Sequence, residues 1–294
     1  MNKRDLYQEV TDSIIALMEA GKTTSHDWKT GMTSRGLPMN YKTRQPYSGV
    51  NVLLLWNAAC AQGFRSNYWL TFKQAKELGG HVREQAKGVL CVFFKTIEKR
   101  ETTDAETPEM IPVISPFWLF NIDQIEGIDF AEVLTQTELT QSWAKIEEAE
   151  AILFADDVKI MEQGSRAFYR YSTDEIYLPE RGRFEEAAQF YAVGFHEKTH
   201  WTGAKHRLAR AFGKRFGDDA YAFEELVAEL GAAFLCAEVG IAPHTMSDHA
   251  GYIDAWLAVL KRDKRAIFSA ASKASEAHRC IMSAYLGGKV EQAA

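Results

Sequence analysis

The chain has 294 residues, and its 46% hydrophobic content can fill the cores of about two domains. Its formal charge of −6 hides a split: residues 1–100 hold 15 Lys and Arg against 8 Asp and Glu, while the rest hold 19 against 32. This suggests a polyanion-binding first half. With no run of about 18 apolar residues and no signal-like start, a membrane span is excluded and a soluble, cytoplasmic chain is expected. Cys60, Cys91, Cys236 and Cys280 show no C-x-x-C spacing and read as reduced, buried thiols.

Residues 4–20 place Leu6, Val10, Ile14, Leu17 and Met18 at helical spacing, with Gly21 as a stop. A polar loop from Gly31 to Gly49 follows. Asn51–Ala61 reads as a buried helix closed by Gly63, Asn67–Thr71 as a short strand, and Phe72–Leu78 as a helix. Val89–Phe94 and Trp118–Phe120 read as strands of one sheet, joined by a charged loop from Glu98 to Pro112. Cations alternate with aromatics along this half: Arg44 with Tyr47, and Arg65 and Lys73 around Tyr68 and Trp69. Unpaired nucleic acid is held in this way, with cations on phosphates and bases stacked on rings. The competing reading puts the aromatics in the core.

The runs Gly36-Leu37-Pro38-x-Asn40, Tyr47-x-Gly49-x-Asn51-Val52-Leu53-Leu54-Leu55, Trp69-Leu70-Thr71-Phe72-x-Gln74-Ala75, Leu78-Gly79-Gly80-x-Val82 and Phe120-Asn121-x-Asp123-Gln124 occur in this order. They resemble the N-terminal single-stranded-DNA-binding domain of ArdC-type antirestriction proteins, a relative of which opens certain plasmid primases. With the cation–aromatic pattern, this marks Arg35, Asn40, Lys42, Arg44, Tyr47, Arg65, Tyr68, Trp69, Lys73, Arg83 and Lys87 as candidate DNA contacts, and the affinity is expected to reside in residues 1–130 alone. One turn departs from the family's Lys-Gly-Glu-Lys-Gly: here Arg83 to Gly88 keeps only the outer charges.

Residues 131–145 read as a polar linker, with a helix at about 143–155. Ala167–Tyr171 and Glu175–Leu178 read as a strand pair, with Asp174–Leu178 expected at the sheet edge, where an extended peptide could pair with it. Tyr169, Tyr171 and Tyr177 are candidates to help an oxyanion.

Phe184–Trp201 then reads as a helix carrying His196-Glu197-Lys198-Thr199-His200. Residues four apart share a helix face, so His196 and His200 can grip one ion, with Glu197 placed to take a proton from water held there. Two imidazoles suit zinc, and manganese or copper can occupy such a set. A second helix from Asp218 to Phe234 puts Glu225 and Glu229 on one face, with Glu224 turned to solvent. Its small Ala232 and Ala233 allow close helix packing. His206, His244 and His249 read as solvated or capping. Tyr252–Leu286 reads as two covering helices around a basic turn, Lys261–Arg265, solvated or in contact with DNA.

This half resembles the zincin-like metallopeptidase domain of the same ArdC-type family. The resemblance implies Glu225 as third metal ligand and Glu229 as the acid on a histidine's other ring nitrogen, with the swapped assignment open. The expected fold is α+β in two domains: a small α+β single-stranded-DNA-binding domain (1–130), then a mostly helical zincin-like domain with a small sheet (146–294). The implied function is plasmid antirestriction during conjugation. The partners are single-stranded DNA, with double-stranded DNA and a host restriction-system protein as further ones, and no membrane. An active zinc endopeptidase and a scaffold with a structural metal are the alternatives.

Overall fold

The computed structural model describes residues 5–24, 36–98, 110–134, 146–212, 219–241 and 249–292. Most of the expected linker, with Arg35, His244 and the tip of the 98–112 loop, lies outside the described residues.

Helix α1 (Leu6–Thr24) buries Leu6, Val10, Ile14 and Met18. It runs past Gly21, because one glycine costs a helix only about 1 kcal/mol when its apolar face is packed. Strand β1 (Met39–Asn40) leads to α2 (Val50–Gln62), which Gly63 closes in the left-handed conformation at φ 67°. Strand β2 (Tyr68–Leu70) and α3 (Phe72–Glu77) meet at a capping box made by Thr71 and Gln74. Then come β3 (His81–Val82), the long ladder of β4 (Val89–Glu98) and β5 (Met110–Asn121), β6 (Ile125–Glu126) and the short α4 (Ala131–Leu134). The main sheet has the order β1-β2-β5-β4, with β1 parallel to β2 and the other pairs antiparallel, while β3 pairs with β6. Helix α2 covers one face of it, packing Leu55 and Ala59 on Trp69, Cys91 and Leu119.

The second half opens with α5 (Glu147–Leu153) and a sheet of β7 (Lys159–Glu162), β8 (Phe168–Arg170) and β9 (Glu175–Leu178). Its order is β7-β9-β8, so β9 is the central strand. That corrects the expected edge position: β7, a polar and mostly exposed run with weak alternation, pairs parallel to its far side. The available edge beside the helix of the histidines is β8. Four helices follow: α6 (Ala187–Thr202), α7 (Asp219–Glu238), α8 (His249–Arg262) and α9 (Ala266–Gln292). The α+β class with two domains stands. Among the described residues, no helix is long and apolar enough to cross a membrane.

One core joins the two halves. Val10, Ile14 and Met18 of α1 and Val52, Leu53 and Trp56 of α2 share a cluster with Leu226, Leu230 and Phe234 of α7, Trp256 and Leu260 of α8, and Ile267 and Ala271 of α9. The basic turn at Lys261–Arg265 is exposed to solvent, as expected, and its side chains also reach α1 across the seam. Lys261 pairs with Glu19 at 2.7 Å, Lys264 pairs with Asp5 at 2.5 Å, and Arg265 lies over the Tyr7 ring.

Candidate metal centre

Helix α6 is fixed on both sides by the two variable residues of its pentad. Lys198 is fully buried, and its ammonium donates to the carbonyls of Ile152, Leu153 and Ala155 at 2.8, 3.1 and 2.8 Å. It thereby caps the C-terminus of α5, where the helix dipole favours a cation. Burial pulls its pKa down to about 8. Thr199 faces Gly231 of α7 so closely that a Cβ on the glycine would come within 2.5 Å of Thr199 Cγ2. The expected small-residue contact between these helices is therefore centred on Gly231, one residue before the alanine pair.

This approach gathers three groups that could hold a metal ion. His196 Nε2 and His200 Nε2 lie 3.2 Å apart. Glu225 places one oxygen 3.5 Å from the first and the other 3.6 Å from the second. A tetrahedral ion about 2.0–2.1 Å from its ligands spaces them about 3.3–3.4 Å apart, so the three side chains fit a divalent cation. Burial opposes charge on His196, but Glu225, Glu229 and Glu197 outweigh it and lift its pKa to about 9. Burial likewise pushes Glu225 up, yet the two histidines and the Tyr221 hydroxyl hold it down at about 2.

Around them lies a ring of buried acids. Glu229 Oε1 sits 3.5 Å from His196 Nδ1. Glu224 was expected in solvent, but it is 3% exposed and its Oε1 lies 3.2 Å from His200 Nδ1. The reason is Arg210, also buried, which binds Glu224 through Nε and Nη2 at 2.8–3.2 Å and donates to Thr202 Oγ1 and to the Thr199 carbonyl. Each imidazole thus has its own carboxylate, which orients the ring and directs Nε2 inward. Sequence reasoning missed Glu224, Arg210 and Tyr221. For Tyr221 a signal existed: it precedes Glu225 and Glu229 at a spacing of four.

Glu197 is buried beside the cluster and accepts the backbone N–H of Tyr169 on β8. Burial raises its pKa against the pull of the two histidines. Of the three tyrosines, Tyr169 donates to Asp174 and Tyr177 to Glu175. Tyr171 is exposed against Phe212, whose ring lies 6.2 Å from that of His200. His206 is exposed and pairs with Asp174, and His249 opens α8.

The expected DNA-contacting residues scatter over the first half. Trp69 is a correction: it is 1% exposed beneath α2, because β2 is flanked on both sides and Trp69 points to the covered face. It offers no ring to a base. Asn40 serves the fold, accepting the N–H groups of Lys42 and Thr43 and donating to the Tyr47 hydroxyl. Arg44 covers Tyr41 and Tyr68 and pairs with Glu132, while Lys42 pairs with Glu77. Arg65 and Arg83 line an open cavity of about 520 Å³ with Gln85 and Asp123. Lys73 and Lys87 are exposed.

Comparison with known proteins bears on both halves. Residues 4–120 match a family described as the N-terminal domain of anti-restriction factor ArdC, and residues 147–273 match one described as zincin-like metallopeptidase. The chain is 39% identical to the uncharacterized protein y4eC of Sinorhizobium fredii, over 92% of this chain and 90% of that protein. It is 34% identical to a DNA primase TraC of Escherichia coli, over 93% of this chain but only 27% of the primase. The metal-free crystal structure of the antirestriction ArdC protein from plasmid R388 superposes with a TM-score of 0.80 at 37% identity, covering 97% of this chain and 99% of that one. Its Mn(II)-bound structure superposes at 0.77 and 38% identity, covering 96% and 98%. The zincin-like match and the Mn(II)-bound neighbour indicate a divalent metal here too.

Proposed function

The chain belongs to the ArdC antirestriction family, and from that premise we propose that it binds single-stranded DNA entering a recipient cell on a plasmid and protects it from restriction endonucleases, with a zinc-dependent hydrolytic centre in its second half. It acts in the cytoplasm, where incoming strands and restriction enzymes meet. The observation that carries the hydrolytic part is the convergence of His196, His200 and Glu225 beside Glu197.

His196, His200 and Glu225 would hold the ion, two nitrogens and a carboxylate being a common zinc set. When bound, the ion polarises a carbonyl and makes water more acidic. Glu197, buried beside the cluster, is placed to take the proton of the attacking water and deliver it to the leaving amine. Glu229 and Glu224 keep both rings in the tautomer that presents Nε2. Manganese is another ion this set would accept.

A second reading makes proteolysis the purpose: a protein bound at the DNA, such as a restriction subunit, is cut. The buried and intact Glu197 favours it. Two measurements on the full chain test the proposal. Binding to a labelled single-stranded oligonucleotide should weaken steeply as salt rises. Metal analysis should find one divalent ion per chain. No affinity at low salt removes the DNA part, and no ion after incubation with zinc or manganese removes the hydrolytic part.

A further inference from the structure

We propose that the face of the β4–β5 ladder opposite α2 is a stacking platform for unpaired bases, with Trp118 and Phe72 as its principal rings. This rests on the single-stranded-DNA reading above and supplies surface that Trp69 cannot.

The register defines the face. Residues directly opposite in antiparallel strands share a side, so Leu70 with Phe120 and Leu90 with Trp118 lie on one face. Trp69, Cys91 and Leu119 lie on the other, sealed by α2. Among the described residues, the open face is covered at its two ends. Leu70 packs into a cluster with Ala75, Ile122, Ile125 and Phe130, and Val92 packs into the core shared with α1 and α7. Between these ends Trp118 is 45% exposed, Pro116 is exposed, and Phe120 and Leu90 are half-buried. Phe72, at the start of α3, is 59% exposed, with its ring 6.5 Å from that of Phe120. A contiguous aromatic surface of this kind marks a binding face.

The backbone keeps the face clear. Gly88 backs onto it so closely that a Cβ there would lie 2.9 Å from Phe120 Cζ and 3.2 Å from Trp118 Cβ. With no side chain at 88, nothing from that position covers the two rings. The surrounding charge selects the occupant. Lys87 precedes Gly88, and Lys73 and Lys76 follow Phe72 on α3, all three exposed. Glu77, on the same helix, is engaged by Lys42 at 2.6 Å and by Lys73 at 3.7 Å. Rings flanked by lysines suit a strand whose phosphates are anionic and whose bases are unpaired. A duplex hides its base faces in its own stack.

The test uses the full chain, fluorescence anisotropy, and two labelled probes: oligothymidylate and an abasic oligomer of the same length. Phe72→Ala with Trp118→Ala should weaken oligothymidylate binding about a hundredfold, roughly tenfold per ring, and leave the abasic oligomer nearly unaffected. Phe72→Leu with Trp118→Leu keeps apolar bulk without an aromatic face and should lose affinity to a similar extent. Unchanged oligothymidylate affinity in the alanine variant, or full affinity in the leucine variant, overturns the platform. Wild type that binds neither probe at low salt sinks the DNA reading itself. Melting curves recorded beside wild type separate loss of the rings from loss of the fold.

Discussion

Glu224 and Arg210 form an ion pair closed off from water, at 2.8 Å with side chains 4% and 3% exposed, and His200 leans on its carboxylate. Removing one partner strands the other charge in the interior. Arg210→Met should therefore cost about 3–5 kcal/mol of stability, read by urea denaturation. Arg210→Met with Glu224→Gln should cost clearly less than the two single changes added together. A loss below about 1 kcal/mol in the single arginine variant would mean that the pair is not buried as described.

Glu197→Gln keeps an oxygen for the Tyr169 N–H but cannot accept a proton. Metal content and melting temperature should stay at wild-type values. Any peptide hydrolysis should fall at least about a hundredfold. If protection of incoming plasmid DNA in a conjugation assay persists in this variant, proteolysis is not the source of antirestriction.

The contact of Thr199 with Gly231 has no slack. Gly231→Ala should destabilise the chain by about 1–3 kcal/mol and weaken metal uptake, since it pushes α7, and Glu225 with it, away from the histidines. Adding Thr199→Ala removes the two nearest atoms and leaves the Cβ contact of 3.2 Å, so most of both losses should return. Isothermal titration with zinc reads one effect and thermal denaturation the other.

Asp174 ties the turn between β8 and β9 to the loop after α6, bonding Arg207 at 2.5 and 3.0 Å. Arg207 chiefly, with Tyr169 and against partial burial, holds its carboxyl below the usual range. A depressed acid stabilises the fold above its unfolded pKa, and that contribution fades as pH falls through the folded value. The side chain is 37% exposed, so the effect is about 1 kcal/mol or less. Asp174→Asn should melt lower than wild type at neutral pH, and the two curves should converge in acid. A gap that persists in acid would assign the effect to shape rather than charge.

A fragment ending at residue 130 would expose the faces of α1 and α2 that now meet α7, α8 and α9. It should lack a cooperative thermal transition at the temperature where the full chain melts. A sharp, full-amplitude melt of the fragment would show that the shared core contributes little.

How much of this was legible in the residues alone follows physical lines. The histidine pair was readable because four-residue spacing on a helix is a local property; spacing alone left Glu225 and Glu229 as equals, the family resemblance favoured Glu225, and the structure brings Glu225 together with His196 and His200. Glu224 was not, since its burial depends on Arg210, fourteen residues earlier in the chain and outside the helix. The ladder of β4 and β5 was visible from its apolar runs, while β7 was hidden by its polar composition. Trp69 and Trp118 show the limit of pattern reading. Both are strand tryptophans among apolar neighbours, and only the position of α2 decides that one is core and the other surface.

Helix α7 carries Glu225 toward the histidines and, two turns on, sets Phe234 against Trp56 of α2, ring centroids 5.8 Å apart. It is therefore common property of both halves, and no clean seam for gene shuffling runs between them. Swapping only the first 130 residues for a foreign module would leave an ill-fitting joint along this helix. The copy carried inside the much longer primases accordingly corresponds to 93% of this chain rather than to its opening portion.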